Sequence, residues 1–199
     1  MALNSVDSDG RRVSDAQFGI YAFYDYDSEP IYVGQTAERL RVRIRRHLTN
    51  QRTDAVAMNV LDPFEVADVE MWPFWELEGR RSGEASVKRL LASAEYTVFK
   101  GLIDASTFTA VLNEVAVPQT DVIDLPQSYR YRIVPEPVYS RRLHPDLRIA
   151  RRASTIAKLA EVISQRAVQH GLRATLLTQA SRLEHLARRR LHDLTEGDE

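Results

Sequence analysis

Two tyrosines, an arginine, a histidine and a glutamate are spaced so that neighbouring elements could gather them around one phosphate group. In chain order these residues are Tyr21, Tyr32, Arg43, His47 and Glu95. Hydrolysis of a phosphodiester needs an activated water, positive charge beside the phosphorus and a proton for the leaving oxygen. Arginine offers a planar, permanently charged fork for phosphate oxygens. A single carboxylate is enough for Mg²⁺, which keeps most of its waters.

The two tyrosines are the candidates for handling the attacking water. Tyr21 and Tyr32 lie in two predicted neighbouring strands, so both hydroxyls could reach one water molecule. A tyrosine is a weak base at its ordinary pKa of about 10, so its ionised form would need the arginine and a metal nearby. His47 could assist by hydrogen bonding or proton transfer. The sequence leaves open whether Tyr21 or His47 takes the proton.

Each residue also has an ordinary structural interpretation. Strand tyrosines are usually packing residues, and a lone histidine or glutamate on a helix is usually a surface residue. Arg43 belongs to a run of arginines that could be no more than an exposed basic helix face. The functional hypothesis therefore depends on the order and spacing of the set, and on the elements that carry it.

A β-hairpin is predicted to carry the two tyrosines. Residues 18–24 are apolar, aromatic and β-branched, and residues 31–33 resume that pattern. Asp, Ser and Pro in the intervening residues 25–30 are typical of a turn.

A helix over residues 37–48, with Thr36 as its N-cap, is predicted to carry the arginine and the histidine. Its apolar positions recur every four residues and form one buried stripe. Arg43 and His47 are also four residues apart, so they lie on the same side of the helix.

The chain as a whole predicts an α+β fold, with a small three-stranded antiparallel sheet flanked by helices and a C-terminal α-helical hairpin. Five prolines between 118 and 145 exclude a single helix there and predict an irregular connector. The remaining predicted elements are a short helix at 55–61, a third strand at 64–72, a helix at 84–102, a short apolar segment at 109–117, and hairpin helices at 153–169 and 172–191, separated at Gly171.

Two tripeptides on the predicted hairpin, Gly19-Ile20-Tyr21 and Tyr32-Val33-Gly34, together resemble the signature of the GIY-YIG nuclease family. The predicted helix after them is similar to the family's helix with its catalytic arginine, a likeness carried here by Leu40, Arg43 and His47. One extra residue after Gly34, relative to the tightest form of the motif, makes Arg41 an alternative to Arg43. We prefer Arg43 because Leu40 and His47 then keep their expected offsets.

The resemblance continues to about residue 117 and implies roles for two further residues. Glu95 resembles the family's metal-binding glutamate, which implies Mg²⁺ or Mn²⁺ as the cofactor, and Asn113 resembles its structural or catalytic asparagine. In the family the first tyrosine, here Tyr21, is implicated as the general base. The resemblance implies a GIY-YIG catalytic domain at 17–117. Composition, prolines and charge add a polar N-terminal segment at 1–16, a Pro-rich connector at 118–147, a basic helical hairpin at 148–192 and an acidic tail at 193–199.

Charge is distributed unevenly along the chain. Residues 1–129 hold 13 Lys and Arg against 20 Asp and Glu, whereas residues 130–192 hold 14 against 4. This asymmetry suggests a polyanionic partner. Equally, the arginines could solvate helix faces and pair with the acidic first part of the chain, or the hairpin could serve as a dimerisation element.

Several residues are candidates for contact with DNA. Backbone phosphates are the expected partners of arginines near the centre and of a second cluster leading into the hairpin; these are Arg39, Arg41, Arg45 and Arg46, and Arg141, Arg142, Arg148, Arg151 and Arg152. Base edges suit the polar residues after the helix, Asn50, Gln51 and Arg52.

The resulting hypothesis is a DNA endonuclease, with a restriction or defence role favoured by elimination. The alternatives are a structure-specific or single-strand nuclease of repair or recombination, and a non-catalytic DNA-binding module that keeps the fold. The chain has no cysteine, which excludes disulfides and thiolate chemistry. No apolar run is long enough for a membrane span and no secretory signal is visible, so we expect the cytoplasm as the location.

Overall fold

The computed structural model describes residues 5–49, 60–113, 117–165 and 170–196. Its centre is a four-stranded antiparallel sheet with the strand order β2-β1-β3-β4. The strands are β1 (Gly19–Tyr24), β2 (Pro30–Thr36), β3 (Asp68–Pro73) and β4 (Tyr129–Arg132). The helices are α1 (Leu40–Thr49), α2 (Ala85–Ala105), α3 (Glu136–Leu143), α4 (Pro145–Gln165) and α5 (His170–Glu196), with 3-10 turns at Val13–Asp15, Pro63–Glu65 and Trp75–Leu77. The predicted α+β class with C-terminal helices is confirmed.

Strand β1 is buried along its whole length because both faces of the sheet are covered. Its even-numbered residues pack against α2, with Ile20 and Ala22 in one cluster with Leu91 and Ala94. The odd-numbered residues pack with α1 and the C-terminal helices in a second cluster. A strand with two buried faces has a nearly continuous apolar sequence, as residues 19–24 do.

The two helices beside the sheet lie close to their predicted positions. Helix α1 begins at Leu40, later than predicted, because Thr36 accepts a hydrogen bond from Glu38 N–H in a turn before the helix. Helix α2 covers the predicted 84–102 and extends to Ala105. The predicted short helix at 55–61 lies mostly outside the described residues; Val60 and Leu61 are buried and not helical.

The sheet has four strands where three were predicted. The third begins at Asp68, later than predicted, because Pro63–Glu65 forms a 3-10 turn capped by the Asp62 carboxylate, which accepts from Phe64 N–H. The fourth, Tyr129–Arg132, lies in the segment predicted to be an irregular connector and pairs with β3. Its tyrosines are half-buried and its arginines exposed, a pattern typical of a short outer strand.

The C-terminal helices α4 and α5 pack against each other as the predicted hairpin. Gly171 lies in the first turn of α5 and does not separate the two helices. One side of the hairpin packs on the sheet domain through Leu159, Ile163 and Leu172. Within the described ranges, no helix combines the length and the apolar character that crossing a bilayer requires.

Candidate active site

The two tyrosines lie side by side on the sheet face that α1 covers. Tyr21 of β1 is paired with Gly34 of β2, and Tyr32 of β2 is paired with Phe23. The ring centroids of Tyr21 and Tyr32 are 6.2 Å apart. A Cβ atom on Gly34 would lie 2.6 Å from Tyr21 Oη, so only glycine leaves room for this ring. The hairpin register therefore places both hydroxyl-bearing rings in one buried cluster.

Helix α1 adds Arg43 and His47 to this cluster. The imidazole of His47 is buried, with its centroid 5.8 Å from that of Tyr21 and 5.1 Å from that of Tyr32. Arg43 is half-exposed, and its guanidinium acts on the Tyr21 hydroxyl, whose pKa its charge lowers. Arg41, by contrast, forms an ion pair with Asp15 at 3.2 Å. The geometry therefore favours Arg43 over Arg41 as the arginine of the site.

Glu95 belongs to α2, on the other face of the sheet, and meets the site at the sheet's edge. Its Oε2 accepts a hydrogen bond from Gln35 Nε2 at 3.0 Å, and Gln35 belongs to the outer strand β2. The charge of Glu95 raises the pKa of Tyr21, and that of Arg43 lowers the pKa of Glu95. The carboxylate thus shares an electrostatic environment with residues on the opposite face.

Burial sets the protonation states of this site. Loss of solvent raises the pKa of Tyr21 to about 12, although Arg43 opposes the shift. Burial, with the charges of Arg43 and Arg46, lowers the pKa of His47 to about 4. Burial raises the pKa of Glu95, while hydrogen bonds from Gln35 and the Arg43 charge lower it. At neutral pH Tyr21 therefore keeps its proton and His47 is uncharged.

Polar atoms in this cluster are buried without hydrogen bonds of good geometry to any described residue. They are Arg43 Nε and both ring nitrogens of His47, whereas Tyr21 Oη lies within hydrogen-bonding reach of Arg43 and Tyr32. A buried polar group left unpaired costs about 1–3 kcal/mol, so folded proteins rarely tolerate several in one place outside functional sites. The cluster is therefore suited to a polar ligand such as a phosphate and its attacking water.

The donor set at Glu95 fits a hard divalent cation. The described residues contain no group of three or more His, Cys, Asp or Glu that could chelate a metal by itself. A single carboxylate suits Mg²⁺ or Mn²⁺, which can keep waters and take further oxygens from a bound phosphate. A cation would also favour the ionised form of Glu95, which burial disfavours.

Asn113 holds the strand that carries Tyr32. Its side chain accepts from Val33 N–H at 3.1 Å and donates to Val33 O at 2.9 Å. Next to it, Leu112 N–H donates to Ile31 O at 2.8 Å. These bonds give hydrogen-bond partners to backbone groups of Ile31 and Val33 at the outer edge of β2. Asn113, predicted as a structural or catalytic asparagine, therefore contacts the strand next to Tyr32 through its backbone.

The arginines of α1 fall into two groups. Arg39 and Arg45 are exposed, and neither forms an ion pair within the described part of the chain. Arg41 pairs with Asp15, and Arg46 with Glu38 at 2.6 Å. The predicted base readers Asn50, Gln51 and Arg52 lie outside the described residues.

The second predicted phosphate-binding cluster is split by the fold. Arg141 is exposed, and Arg142 and Arg151 are half-exposed. Arg148 and Arg152 are buried, with 1% and 5% of their surface exposed, which argues against their prediction as DNA contacts. Both form ion pairs with carboxylates near the sheet, namely those of Asp25, Asp27 and Glu65.

The buried arginines attach the hairpin to the turn between β1 and β2. Arg152 donates to Asp25 at 2.6 Å and to Glu65 at 3.3 Å. Arg148 donates to Asp27 at 2.5 Å. A third buried arginine, Arg182 of α5, donates to Pro30 O at 2.8 Å. Sequence reasoning missed these partners, although the charge asymmetry and its alternative of internal pairing pointed to them.

A comparison with family models matches the part of the chain that carries most of these site residues. Residues 17–96 match the family model described as the GIY-YIG catalytic domain. Neither the curated proteins nor the solved structures gave a match. The matched part contains both tyrosines, Arg43, His47 and Glu95, and ends before Asn113. The antiparallel sheet and its flanking helices are consistent with this match, so residues 17–96 are similar to a GIY-YIG catalytic domain.

Proposed function

We propose that the chain is a divalent-metal-dependent endonuclease that hydrolyses DNA phosphodiester bonds. The observation that carries this proposal is the convergence of residues from three elements at the edge of strand β2. The buried pair Tyr21 and His47 faces the half-exposed Arg43, and the Glu95 carboxylate lies on the other side of the same edge. A phosphate bound here would meet a cation, a carboxylate and unpaired polar atoms together.

Each residue then has a distinct role. Arg43 would bind the scissile phosphate, because its fork matches two phosphate oxygens. Glu95 would hold Mg²⁺ or Mn²⁺, which supplies positive charge and makes a bound water more acidic. Tyr21 holds its proton at neutral pH and would donate a hydrogen bond to the attacking water. His47 is neutral and could accept a proton without first losing one.

Duplex DNA is the proposed substrate, and α1 the main surface that would bind its backbone. Arg39 and Arg45 are exposed on this helix and could contact phosphates directly. Arg41 and Arg46 have surface carboxylate partners, and such pairs are weak enough to open for a phosphate. Arg141 could extend the contact toward the C-terminal helices.

The proposed biological setting is restriction or defence. A small restriction or defence enzyme acting in the cytoplasm fits the organisation of the chain best. A structure-specific or single-strand nuclease of repair or recombination is the alternative. A non-catalytic DNA-binding module is disfavoured because the set of polar residues is intact. A homodimer through the C-terminal helices would use their outer side, where Leu177 and Leu191 are exposed.

One cleavage experiment tests the proposal. The protein is incubated with plasmid, single-stranded DNA and RNA, in Mg²⁺, Mn²⁺ or EDTA, beside Glu95→Gln and the control Glu78→Gln. Glu78 is an exposed glutamate outside the site. We expect metal-dependent DNA cleavage that Glu95→Gln abolishes and Glu78→Gln keeps. Absence of metal-dependent cleavage of every substrate would refute the enzyme. Discrete plasmid fragments would favour restriction, and single-strand preference would favour the alternative.

A further inference from the structure

Phe64 is a large apolar residue that the fold holds at the surface. It is 52% exposed, although it lies in the 3-10 turn directly before a buried segment. Its backbone is fixed by two contacts: its N–H donates to Asp62 at 2.9 Å, and its carbonyl accepts from Tyr26 Oη at 3.4 Å. An exposed aromatic side chain on a fixed backbone is suited to stack against a planar ligand.

Two guanidinium groups lie against the Phe64 ring. The Cζ atoms of Arg142 and Arg151 are 4.6 Å and 5.2 Å from its centroid, within the range of a cation–π contact. They come from different helices, α3 and α4. More than half of Phe64 remains exposed despite both contacts. The ring and the two cations therefore form one composite surface, here called the Phe64 platform.

The two arginines of this platform differ from their neighbours in lacking acidic partners. Among the described residues, neither Arg142 nor Arg151 forms an ion pair, whereas most other arginines of the C-terminal part do. The nearby Glu65 carboxylate is instead bound by Arg152. No described carboxylate therefore neutralises the two guanidiniums, although Arg142 hydrogen-bonds to the Tyr26 hydroxyl and Arg151 Nη1 is buried.

We infer that the Phe64 platform binds an unpaired nucleotide, with the base stacked on the aromatic ring and the phosphate held by Arg142 and Arg151. Aromatic rings flanked by arginines are the usual chemistry of single-strand recognition, because every base has a face to stack and every linkage a charge. This inference rests on the proposed function and specifies its substrate as DNA with a single-stranded part.

Tyr26 connects the platform to the catalytic centre along the chain. Tyr26, which contacts Phe64, follows Tyr21 by five residues, so their Cα atoms are at most about 18 Å apart. That separation corresponds to roughly five base-pair steps of B-form DNA at about 3.4 Å each. Tyr21 and Tyr26 are thus separated by no more than a short stretch of duplex DNA.

Equilibrium binding in EDTA tests the inference, since cleavage is then excluded. Fluorescence anisotropy is measured with a blunt duplex, the same duplex with a short single-stranded overhang, and one whose overhang is abasic. The variants are Phe64→Leu, Phe64→Trp and the double variant Arg142→Gln with Arg151→Gln. The control is Arg89→Gln, which removes one exposed charge from α2. Thermal unfolding confirms that each variant is folded.

We expect the overhang to tighten binding by about tenfold, the scale of stacking one base on an aromatic ring. Phe64→Leu should remove that gain without changing binding to the blunt duplex, and Phe64→Trp should keep it. The double variant should weaken binding to both overhangs, and Arg89→Gln should change the gain by less than about twofold. The abasic overhang should bind equally to wild type and Phe64→Leu.

Two results would overturn the inference. One is that Phe64→Leu still binds the overhang duplex more tightly than the blunt duplex by the wild-type factor. The other is that Phe64→Leu weakens binding to both duplexes equally. Cleavage in Mg²⁺ separates this failure from failure of the proposed function. If the wild type cleaves DNA and Phe64→Leu does not change binding of the overhang duplex, only the platform is refuted. Protein that neither binds nor cleaves any DNA would refute both.

Discussion

Tyr21 and Gly34 lie opposite each other on β1 and β2, and the tyrosine ring occupies the space that a side chain at position 34 would need. A Cβ atom there would lie 2.6 Å from Tyr21 Oη and 2.8 Å from Cζ. Gly34, the last residue of the second tripeptide, thus provides the space for the ring of Tyr21, the last residue of the first. Their joint occurrence has a steric cause and is not only a sequence pattern.

Gly34→Ala should therefore impair catalysis by displacing the Tyr21 ring. We expect kcat to fall by at least about tenfold, because a misplacement of about 1 Å can cost two orders of magnitude. Gly101→Ala is the matched control, since a Cβ there meets nothing within 4 Å. It should stabilise α2 by roughly 0.5–1 kcal/mol. Steady-state cleavage and urea unfolding measure both effects; an unchanged kcat in Gly34→Ala would contradict the steric argument.

The catalytic hairpin could be predicted because its determinants are local. The apolar run of β1, the turn chemistry of residues 25–30 and the spacing of the two tripeptides all lie within one short stretch. The fourth strand could not be predicted in this way. Tyr129–Arg132 is short and lies among prolines, and it becomes a strand only by pairing with β3, which is far away in sequence.

The partners of the arginines could not be predicted from the sequence either. Arg142 and Arg152 look alike in the sequence, yet one faces an exposed ring and the other lies 2.6 Å from Asp25. Which of them is buried depends on how the hairpin packs on the sheet domain, and no local pattern encodes that. Phe64 was likewise predicted within a strand, because its 3-10 turn depends on the Asp62 cap.

Arg43 and Arg41 can be separated by substitution. Arg43→Gln should lower kcat by at least about 100-fold, the scale of losing one preorganised charge at a developing oxyanion. Arg41→Gln should stay within about threefold, because its side chain pairs with Asp15 at the surface. Initial cleavage rates at saturating DNA, with circular dichroism as a folding control, measure both. An inactive Arg41→Gln beside an active Arg43→Gln would reverse our assignment.

Asn113→Ala should destabilise the fold more than it alters chemistry. The change removes two hydrogen bonds to Val33 and leaves its backbone N–H and C=O unpaired beside β2. A loss of about 1–3 kcal/mol is expected from groups left in this way. Urea unfolding gives the loss, and kcat at low temperature, where the variant stays folded, should fall by less than about tenfold. Full stability with no activity would instead make Asn113 a catalytic residue.

His47 should make stability fall in acid. Its pKa is 6.5 in the unfolded chain and about 4 when folded, so between these values the unfolded state binds the extra proton. Its contribution is complete above pH 6.5 and is lost as the pH falls through 4. The loss amounts to at most roughly 3 kcal/mol.

The control for this prediction is His47→Gln, which cannot take up the proton. Glu65 and Glu95 have raised pKa values and act in the opposite sense, because their contributions are lost as the pH rises. They are common to both proteins, so the difference between the two stability curves isolates the histidine. Urea unfolding from pH 4 to 7 should show that the free energy of unfolding depends less steeply on pH in His47→Gln than in the wild type. If the two plots of this free energy against pH are parallel, the pKa of His47 is not depressed.

Arg152→Leu should detach the C-terminal hairpin from the catalytic domain. The arginine lies between Asp25 and Glu65, and its removal leaves both carboxylates short of buried positive charge. Breaking a buried pair from one side typically costs 3–5 kcal/mol, so we expect a loss of about that size. Arg188→Leu, which breaks an exposed pair with Glu184 on α5, should cost less than about 1 kcal/mol.

The same variant also tests how the hairpin acts on the site. Asp25 lies in the turn that joins β1 to β2, and these strands carry Tyr21 and Tyr32. A loosened turn should therefore lower both stability and kcat, whereas a lost phosphate contact would raise Kd for DNA and leave stability unchanged. Urea unfolding, kcat and DNA affinity measured on one preparation distinguish the two. If Arg152→Leu keeps full stability and loses only DNA affinity, the arginine is a DNA contact after all and the buried network does not hold the hairpin.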